Sequence, residues 1–459
     1  MKKHSISRKR SRGQAIFLAL AAMAFLTLMT YAAFNISQMT HAKSQTMNAA
    51  DAGAYTLATL VARDLNFMAY TNRAMVANHV VVGQLTSLAS LSNMIHLAAG
   101  DLKNLQYLSW IPYVGSIFNA IGKAFEYMED IIEDVVWEIL QIATQVQNGL
   151  IKVISLSQLG VHAMTAYDMS RVGNIVEAND PELRWAVGDG GGWFATATTI
   201  EGVANTFFGG FSERRDDDDA LNRMREVVNL SRDGFTLRRE WVPAPPWPIK
   251  SKYLFHGGTQ LSSNNKTWVG VDGFEMEQWR PWPRSNRWFR MWLTGEVAGE
   301  DDADDWSSLS RGRLTRTGHR RAYNNRRRNL EDYYDGIQPY QELTGDPKAG
   351  ERPSRTFTML VFKNVQSDST PSANQTFQTG SAGNPFRLDE GRPRIYGAAA
   401  AQVYFRRPTR DDPTGGPVVP NIASYRDGHY ATLFSPYWQA RLTNLPPQVT
   451  AALLLGADH

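Results

Sequence analysis

The stretch that decides the fold is residues 14–34, QAIFLALAAMAFLTLMTYAAF, a run of 21 mostly apolar residues. A helix rises about 1.5 Å per residue, so this run is about 30 Å long, which matches the hydrocarbon core of a bilayer. No Lys, Arg, Asp or Glu occurs from Gly13 to Ala42. These features predict a transmembrane anchor at residues 14–34.

The residues before the apolar run predict its orientation. They include six basic residues and no acidic one, namely Lys2, Lys3, Arg8, Lys9, Arg10 and Arg12. By the positive-inside rule, residues 1–13 form a cytoplasmic tail and the bulk of the chain lies outside the membrane. The alternative is a cleaved signal peptide, whose apolar region usually spans about 7–15 residues and ends at a small-x-small site. This run is longer and has no such end, which favours a retained single-pass anchor.

Composition and charge exclude several classes of function. The chain of 459 residues has no cysteine, so it has no disulfide, zinc-thiolate site, iron–sulfur cluster or catalytic thiol. Its net charge is +3, but six of the 48 basic residues lie in the tail, and the remaining 42 face 45 acidic residues. A nucleic-acid-binding protein carries its positive charge on the folded body, so we do not expect nucleic acid as a partner.

Two stretches after the anchor have helical periodicity. The first repeats apolar residues at spacings of three and four, at Ala54, Leu57, Val61, Leu65 and Met68. The second has the spacing of a heptad and runs through Met128, Ile132, Val135, Ile139, Ile142, Val146 and Val153. We therefore predict a stalk of long packed helices over residues 35–160. A mixed, mainly helical connector follows over residues 161–240, including a short helix within 216–229.

Composition changes near residue 241. The segment VPAPPWP at residues 242–248 stops any helix. Beyond it, β-prone runs occur at Thr267–Val271, Thr356–Val365 and Gln402–Phe405. The predicted fold class is α+β, with an N-terminal transmembrane helix that continues into a helical stalk and a β-rich C-terminal head with long loops at 241–459.

The sequence has no catalytic signature. It contains no HExxH, no GxSxG and no phosphate-binding GxxxxGK[ST] motif. We therefore expect no enzyme activity, no cofactor, no metal site and no small-molecule ligand. The acidic runs at 216–219 and 300–305 are typical of solvated charge, with Ca²⁺ binding as the alternative. The arginine-rich segment at 311–328 is interpreted as a loop that pairs with the preceding acids, or as an adhesive surface for anionic envelope components.

The aromatic cluster of the head has two interpretations. Its members are Trp279, Trp282, Trp288 and Trp292. Such residues most often build a β-domain core, with Arg stacked at its rim. Alternatively they form a platform that stacks on sugars, which would make the chain an envelope-anchored module that binds a glycan or surface polymer.

Three segments near the N-terminus resemble a known family. The segment RGQA at 12–15 leads into the apolar run, NAADA at 48–52 follows it, and LNFMAYTNRAMVAN occupies 65–78. In this order they resemble TadE/TadG-like proteins of the Flp (tight adherence) pilus system, over roughly residues 12–80. The resemblance implies a non-enzymatic pilus-assembly component in the inner membrane, with pilin-like or other pilus-assembly proteins and the lipid bilayer as partners. Leu18 stands where relatives cleaved by prepilin peptidase carry Glu, which implies that this chain is not cleaved after Gly13.

The segment just outside the membrane is the candidate docking surface. If the helix continues from the anchor, the polar pair Asn48 and Asp51 lies three residues apart on one face. Small residues such as Ala50 and Ala54 let a neighbouring helix approach closely. We therefore predict that Asn48, Ala50, Asp51 and Ala54 form a helix-docking face.

Overall fold

The computed structural model describes residues 14–104, 123, 127, 135–188, 194–195, 212–241, 251–278, 330–344, 354–364, 394–406 and 431–451. Within them the chain is mixed α+β, with a long apolar N-terminal helix and a strand-rich C-terminal region. This agrees with the predicted fold class.

The first helix, α1, spans Gln14–Asn104 without a break. Its 91 residues extend for about 137 Å. It contains no proline and only three glycines up to residue 100, so nothing in its sequence forces a kink. The helix runs without a break from the apolar stretch through residues 39–80, which is the condition set for the predicted docking face.

The second long helix, α2, spans Trp137–Ser170 and packs along α1. Later residues of α2 contact earlier residues of α1: Gln158 meets Asn72, whereas His162 meets Asp64. The two helices therefore run antiparallel. The short helix α3, Gly173–Asn179, follows α2 and also packs on α1.

The strands among the described residues form three antiparallel sheets. The strand bounds are β1 Leu183–Gly188, β2 Phe194–Ala195, β3 Ser212–Arg215, β4 Arg239–Trp241, β5 Ser251–Leu261, β6 Trp268–Gln278, β7 Tyr340–Leu343, β8 Ser354–Asn364, β9 Arg394–Phe405 and β10 Trp438–Thr443. The five-stranded sheet has the order β10-β9-β8-β1-β2, β3 pairs with β7, and the third sheet has the order β4-β5-β6. Strands β6, β8 and β9 include most or all of the three β-prone runs found in the sequence.

Two further helices precede β4, namely α4 at Asp218–Leu230 and α5 at Gly234–Leu237. Helix α4 confirms the short helix predicted within residues 216–229. Asp217 caps it, because its carboxylate accepts a hydrogen bond from the Ala220 amide at 3.1 Å. The hydrogen bond from Arg215, followed by that of the Ala220 amide, lowers the pKa of Asp217 to about 2. The acidic run at 216–219 thus starts a helix.

The main core lies between α1 and one face of the five-stranded sheet. Alternate residues of β8 and β9 point into it, as the period of a strand requires. These are Phe357, Met359 and Val361 on β8, and Ala399, Ala401 and Val403 on β9. They pack on α1 residues between Ala49 and Met68 and on the end of α2.

The main core contains residues from the predicted stalk, connector and head. It joins residues of α1, α2, β1, β8, β9 and β10 in one cluster. A second core joins Met75 and Val80 of α1 to Met224 of α4, Trp268 of β6 and Tyr340 of β7. The described strands therefore fold directly onto the helix. Helix α1 contributes residues to both cores.

Candidate functional site

The first part of α1 has no cover from the rest of the chain. Every residue from Ile16 to Phe34 is exposed, including Phe17 at 77% and Leu18 at 74%. A stretch this apolar is rarely left in water by a folded protein. Within the described residues, α1 is the one helix long and apolar enough to cross a membrane.

The body begins to pack on α1 soon after this stretch. The Lys43 ammonium donates a hydrogen bond to the carbonyl oxygen of Tyr396 on β9. Lys43 lies nine residues beyond Phe34, about 14 Å along the helix. Thr46 is the first fully buried residue of the contact. The five-stranded sheet therefore starts close to the end of the apolar stretch.

The contact between α1 and the five-stranded sheet covers two of the four residues of the predicted helix-docking face. Ala50 and Ala54 have no exposed surface and belong to the main core. Asn48 is exposed and Asp51 is half-buried. The structure therefore assigns Ala50 and Ala54 to the chain's own core, where neither is available to a neighbouring helix. Only Asn48 and Asp51 retain a surface that a partner can reach.

Small residues in this region permit close approach of the chain's own sheet. A Cβ on Gly397 of β9 would lie 2.6 Å from the backbone of Thr46, and one on Gly53 would lie 1.9 Å from Met359 Sδ. Carbon atoms in contact are normally about 3.5–4.0 Å apart. A strand of the same chain, about 340 residues later, makes the close approach at this part of α1, and a single sequence does not show that it packs there.

Two asparagines of α1 bind the backbone of C-terminal strands and loops. Asn66 Nδ2 donates to the carbonyl of Trp438 at 2.8 Å, and Asn66 Oδ1 accepts from the Trp438 amide at 3.0 Å. Asn72 Nδ2 donates to the carbonyls of Gln341 and Leu433, both at 2.9 Å. Both asparagines belong to the segment LNFMAYTNRAMVAN, so part of the sequence signature serves to hold the β-rich region on the helix.

Helix α2 joins the same buried network. Gln158 Nε2 donates to Asn72 Oδ1 at 2.6 Å, and Gln158 Oε1 accepts from the Gln341 amide at 3.1 Å. Neither Asn72 nor Gln158 is exposed to solvent. Two helices and β7 are therefore positioned by amide groups whose partners are all inside the protein, an arrangement that specifies one register.

A carboxylate and an imidazole form a further link between the helices. Asp64 Oδ2 of α1 lies 2.8 Å from His162 Nδ1 of α2, with the Asp64 side chain fully buried and the His162 side chain 20% exposed. Among the residues that the structure describes, no group of three or more His, Cys, Asp or Glu is placed to hold a metal ion. The pair acts as a polar contact between α1 and α2.

A histidine of α1 is buried against a tyrosine. The Tyr334 hydroxyl shares a hydrogen bond of 2.7 Å with His79 Nδ1, and the two rings meet edge to face. Burial raises the pKa of Tyr334, so the hydroxyl keeps its proton. Asp64, Asn72 and His79 recur every seven or eight residues, which places all three on one helix face. Sequence reasoning missed these contact residues, although this periodicity of polar residues was a usable signal.

A buried ion pair holds the three-stranded sheet. Arg239 Nε and Nη2 lie 2.7 and 2.8 Å from the two carboxylate oxygens of Asp272, and both side chains are almost fully buried. Arg239 also donates to Thr259 Oγ1 at 3.1 Å, and Ser87 of α1 donates to the same oxygen at 2.8 Å. A Cβ on Gly257 would lie 1.9 Å from Asp272 Oδ1, so glycine makes room for the carboxylate.

The heptad pattern of α2 faces outward. The residues of α2 that are buried against the chain are Leu140, Thr144, Ile151, Ser155, Gln158, Thr165, Ala166 and Met169. The apolar residues that carried the heptad prediction are on the opposite side: Ile139 is 58%, Val146 55% and Val153 62% exposed. The heptad residues of α2 therefore do not pack on the chain's own body. The buried face of α2 holds four polar and four apolar residues, whereas large apolar side chains line its outer face.

The other predicted surface lies outside the described residues. This is the platform of Trp279, Trp282, Trp288 and Trp292, together with the acidic run at 300–305 and the arginine-rich segment at 311–328.

Comparison with known protein families, characterised proteins and solved structures finds no match to this chain. The resemblance to TadE/TadG-like proteins therefore stays a prediction from residues 12–80.

Proposed function

We propose that this chain is a single-pass membrane protein of the bacterial inner membrane, with its N-terminus in the cytoplasm and its bulk outside. One observation supports the anchoring above all others. The exposed apolar residues 16–34 belong to the same unbroken helix that organises the core from Thr46 onward. A bilayer is the environment that removes such a surface from water.

We further propose a non-enzymatic role as a structural or assembly component of an Flp-type (tight adherence) pilus. The sequence resemblance at residues 12–80 supports the pilus assignment. The architecture fits a structural role, because its polar groups are used to join helices to strands. The partners are pilin-like or other pilus-assembly proteins, which can reach the exposed Asn48 and the half-buried Asp51 near the membrane.

Deletion of the gene tests the pilus assignment. We expect cells without this chain to lose surface filaments in electron micrographs, and a plasmid copy to restore them. A second plasmid copy with Asn48→Leu and Asp51→Leu tests the contact near the membrane, with Tyr70→Ala as a control at an exposed position of α1 farther from the membrane. Normal filament numbers in the deletion strain would contradict the pilus assignment.

A fusion tests the orientation separately. Alkaline phosphatase is active only outside the cytoplasm, so a fusion after His459 is expected to be active. An inactive phosphatase, with an active cytoplasmic reporter at the same site, would reverse the proposed topology. This outcome is independent of the filament count.

A further inference from the structure

The outer face of α2 is a continuous apolar surface. Ten large apolar side chains lie on it, each between 44% and 64% exposed. They are Val135, Ile139, Ile142, Val146, Leu150, Val153, Leu156, Leu159, Met164 and Tyr167, and we call them the α2 strip. From Val135 to Tyr167 the strip is about 48 Å long. An exposed apolar surface of this size marks an interaction site.

We propose that the α2 strip binds the same strip of a second copy of this chain, with the two α2 helices parallel. The orientation rests on the membrane anchoring proposed above, whereas the self-association does not depend on the pilus assignment.

The spacing of the strip suits a pair of like helices. Ile139, Val146 and Val153 recur every seven residues, and Val135, Ile142 and Leu156 occupy the alternate positions of the same heptads. This is the heptad repeat of a coiled coil, in which residues at these two positions of one helix pack against those of another. In a parallel pair each layer places a residue against its own copy, so the pair is two-fold symmetric.

Two glycines occupy further positions of the same seam. Gly149 lies seven residues after Ile142, and Gly160 lies seven after Val153. A Cβ at either glycine would have no atom of the chain within 4 Å. The close approach that these glycines allow is therefore not used by the chain's own body and is available to a facing helix.

Charge is compatible with a like partner. Between residues 135 and 170 the charged residues are Glu138, Lys152 and Asp168, with one histidine at 162. In a parallel pair, Glu138 would face Ala143 of the other copy and Lys152 would face Ser157, so no like charges meet. Lys152 is in addition paired with Asp335 of its own chain at 2.7 Å. A surface with so few charged groups favours an apolar partner, because it has almost no charge that a polar or charged partner could pair with.

If both chains are anchored in one membrane, their α2 strips lie at the same distance from the bilayer. Helix α2 lies along α1, so chains in one membrane present their strips side by side and in the same direction. Confinement to one membrane raises the effective concentration of the partner strip. Ten half-exposed side chains supply on the order of 600–800 Å² per copy, close to the roughly 800 Å² that each partner buries in a standard interface.

The absence of cysteine makes the proposal directly testable. We expect Val146→Cys and Val153→Cys chains, expressed at full length in the membrane, to form disulfide-linked dimers under mild oxidation. Ala77→Cys is the matched control, because Ala77 is exposed on α1 and not on α2. The linked fraction should exceed that of the control by on the order of tenfold.

A charge on the strip provides the second measurement. Val146→Glu in a Val153→Cys chain should reduce cross-linking by on the order of tenfold, because an unpaired carboxylate would have to be buried. The fold should persist, since Val146 is exposed in the single chain; Ala77→Glu in the same background should leave cross-linking unchanged.

Three outcomes would overturn the proposal. The first is cross-linking of Val146→Cys and Val153→Cys no greater than that of Ala77→Cys. The second is protection of both cysteines from maleimide without dimers, which would show that another segment of this chain or a different protein covers the strip. The third is linkage of Ile139→Cys to Tyr167→Cys with no self-linkage of Val146→Cys, which would show an antiparallel pair.

Discussion

Gly397 offers the sharpest test of how the sheet sits on α1. It lies in β9 opposite Val361 of β8, and its Cα faces the backbone of Thr46 and Met47. The proposed change is Gly397→Ala, which adds one methyl group. Gly234→Ala at the start of α5 is the matched control, since the same methyl group meets nothing there and the residue lies outside α2.

The expected loss of folding stability follows from the distances between the new methyl group and its neighbours. The new Cβ would lie 2.6 Å from the Thr46 carbonyl carbon and oxygen and 2.8 Å from the Met47 nitrogen. These are backbone atoms of a helix, so no side chain can turn aside, and the sheet must move by roughly 1 Å. Overpacking of this kind costs about 1–3 kcal/mol, and we expect a value in the upper half of that range. The control should gain about 0.5–1 kcal/mol, because alanine is the better residue in a helix.

The assay is thermal unfolding of the full chain in mild detergent, followed by tryptophan fluorescence. A change of 1 kcal/mol shifts Tm by about 2–4 °C in a body of 150–250 residues. We expect Gly397→Ala to lower Tm by on the order of 5 °C and Gly234→Ala to raise it by about 2 °C. Equal Tm values for wild type and Gly397→Ala would refute the contact between α1 and β9.

Three further changes test other parts of the body. Asn72→Leu removes the donor of two buried carbonyls and one acceptor of the Gln158 amide, which keeps its hydrogen bond to Thr71, and we expect a loss of about 2–4 kcal/mol in urea unfolding. Arg239→Met should cost about 3–5 kcal/mol because it leaves Asp272 charged and buried, and adding Asp272→Leu should restore much of that loss; an additive double variant would contradict the ion pair. The hydrogen bonds from Arg215 and the Ala220 amide lower the pKa of Asp217 to about 2 in the folded protein. The ionised carboxylate therefore stabilises the fold fully above about pH 4, and this stabilisation is lost as the pH falls toward 2. Asp217→Asn should reduce the fall in Tm between pH 5 and pH 2.5, and an unchanged fall would count against the cap.

Local features of the fold were accessible from the sequence. Residues 14–34 and the repeat from Ala54 to Met68 predicted a continuous helix, because helical periodicity depends on neighbours in the chain. The β-prone runs predicted β6, β8 and β9 for the same reason. The cap at Asp217 follows from local chemistry too, although its run of acids was interpreted as solvated charge, with Ca²⁺ binding as the alternative.

The contacts between distant segments were not accessible. Ala50 and Ala54 are small because β8 and β9 lie against α1, and the sequence does not state which surface approaches them. The α2 heptad looked like a core stripe because apolar residues at that spacing usually face inward. Its buried face instead contains Thr144, Ser155 and Gln158, whose partners are known only once the chain is folded.

The central claim is that α1 spans a bilayer with one part and organises the folded body with the next. Maleimide labelling of single cysteines in spheroplasts tests it most directly. Phe25 is 59% and Tyr55 47% exposed in the isolated chain, so the protein itself shields neither. We expect Tyr55→Cys to react with a membrane-impermeant maleimide and Phe25→Cys to react only after detergent is added. Equal labelling of both cysteines before detergent would contradict the claim.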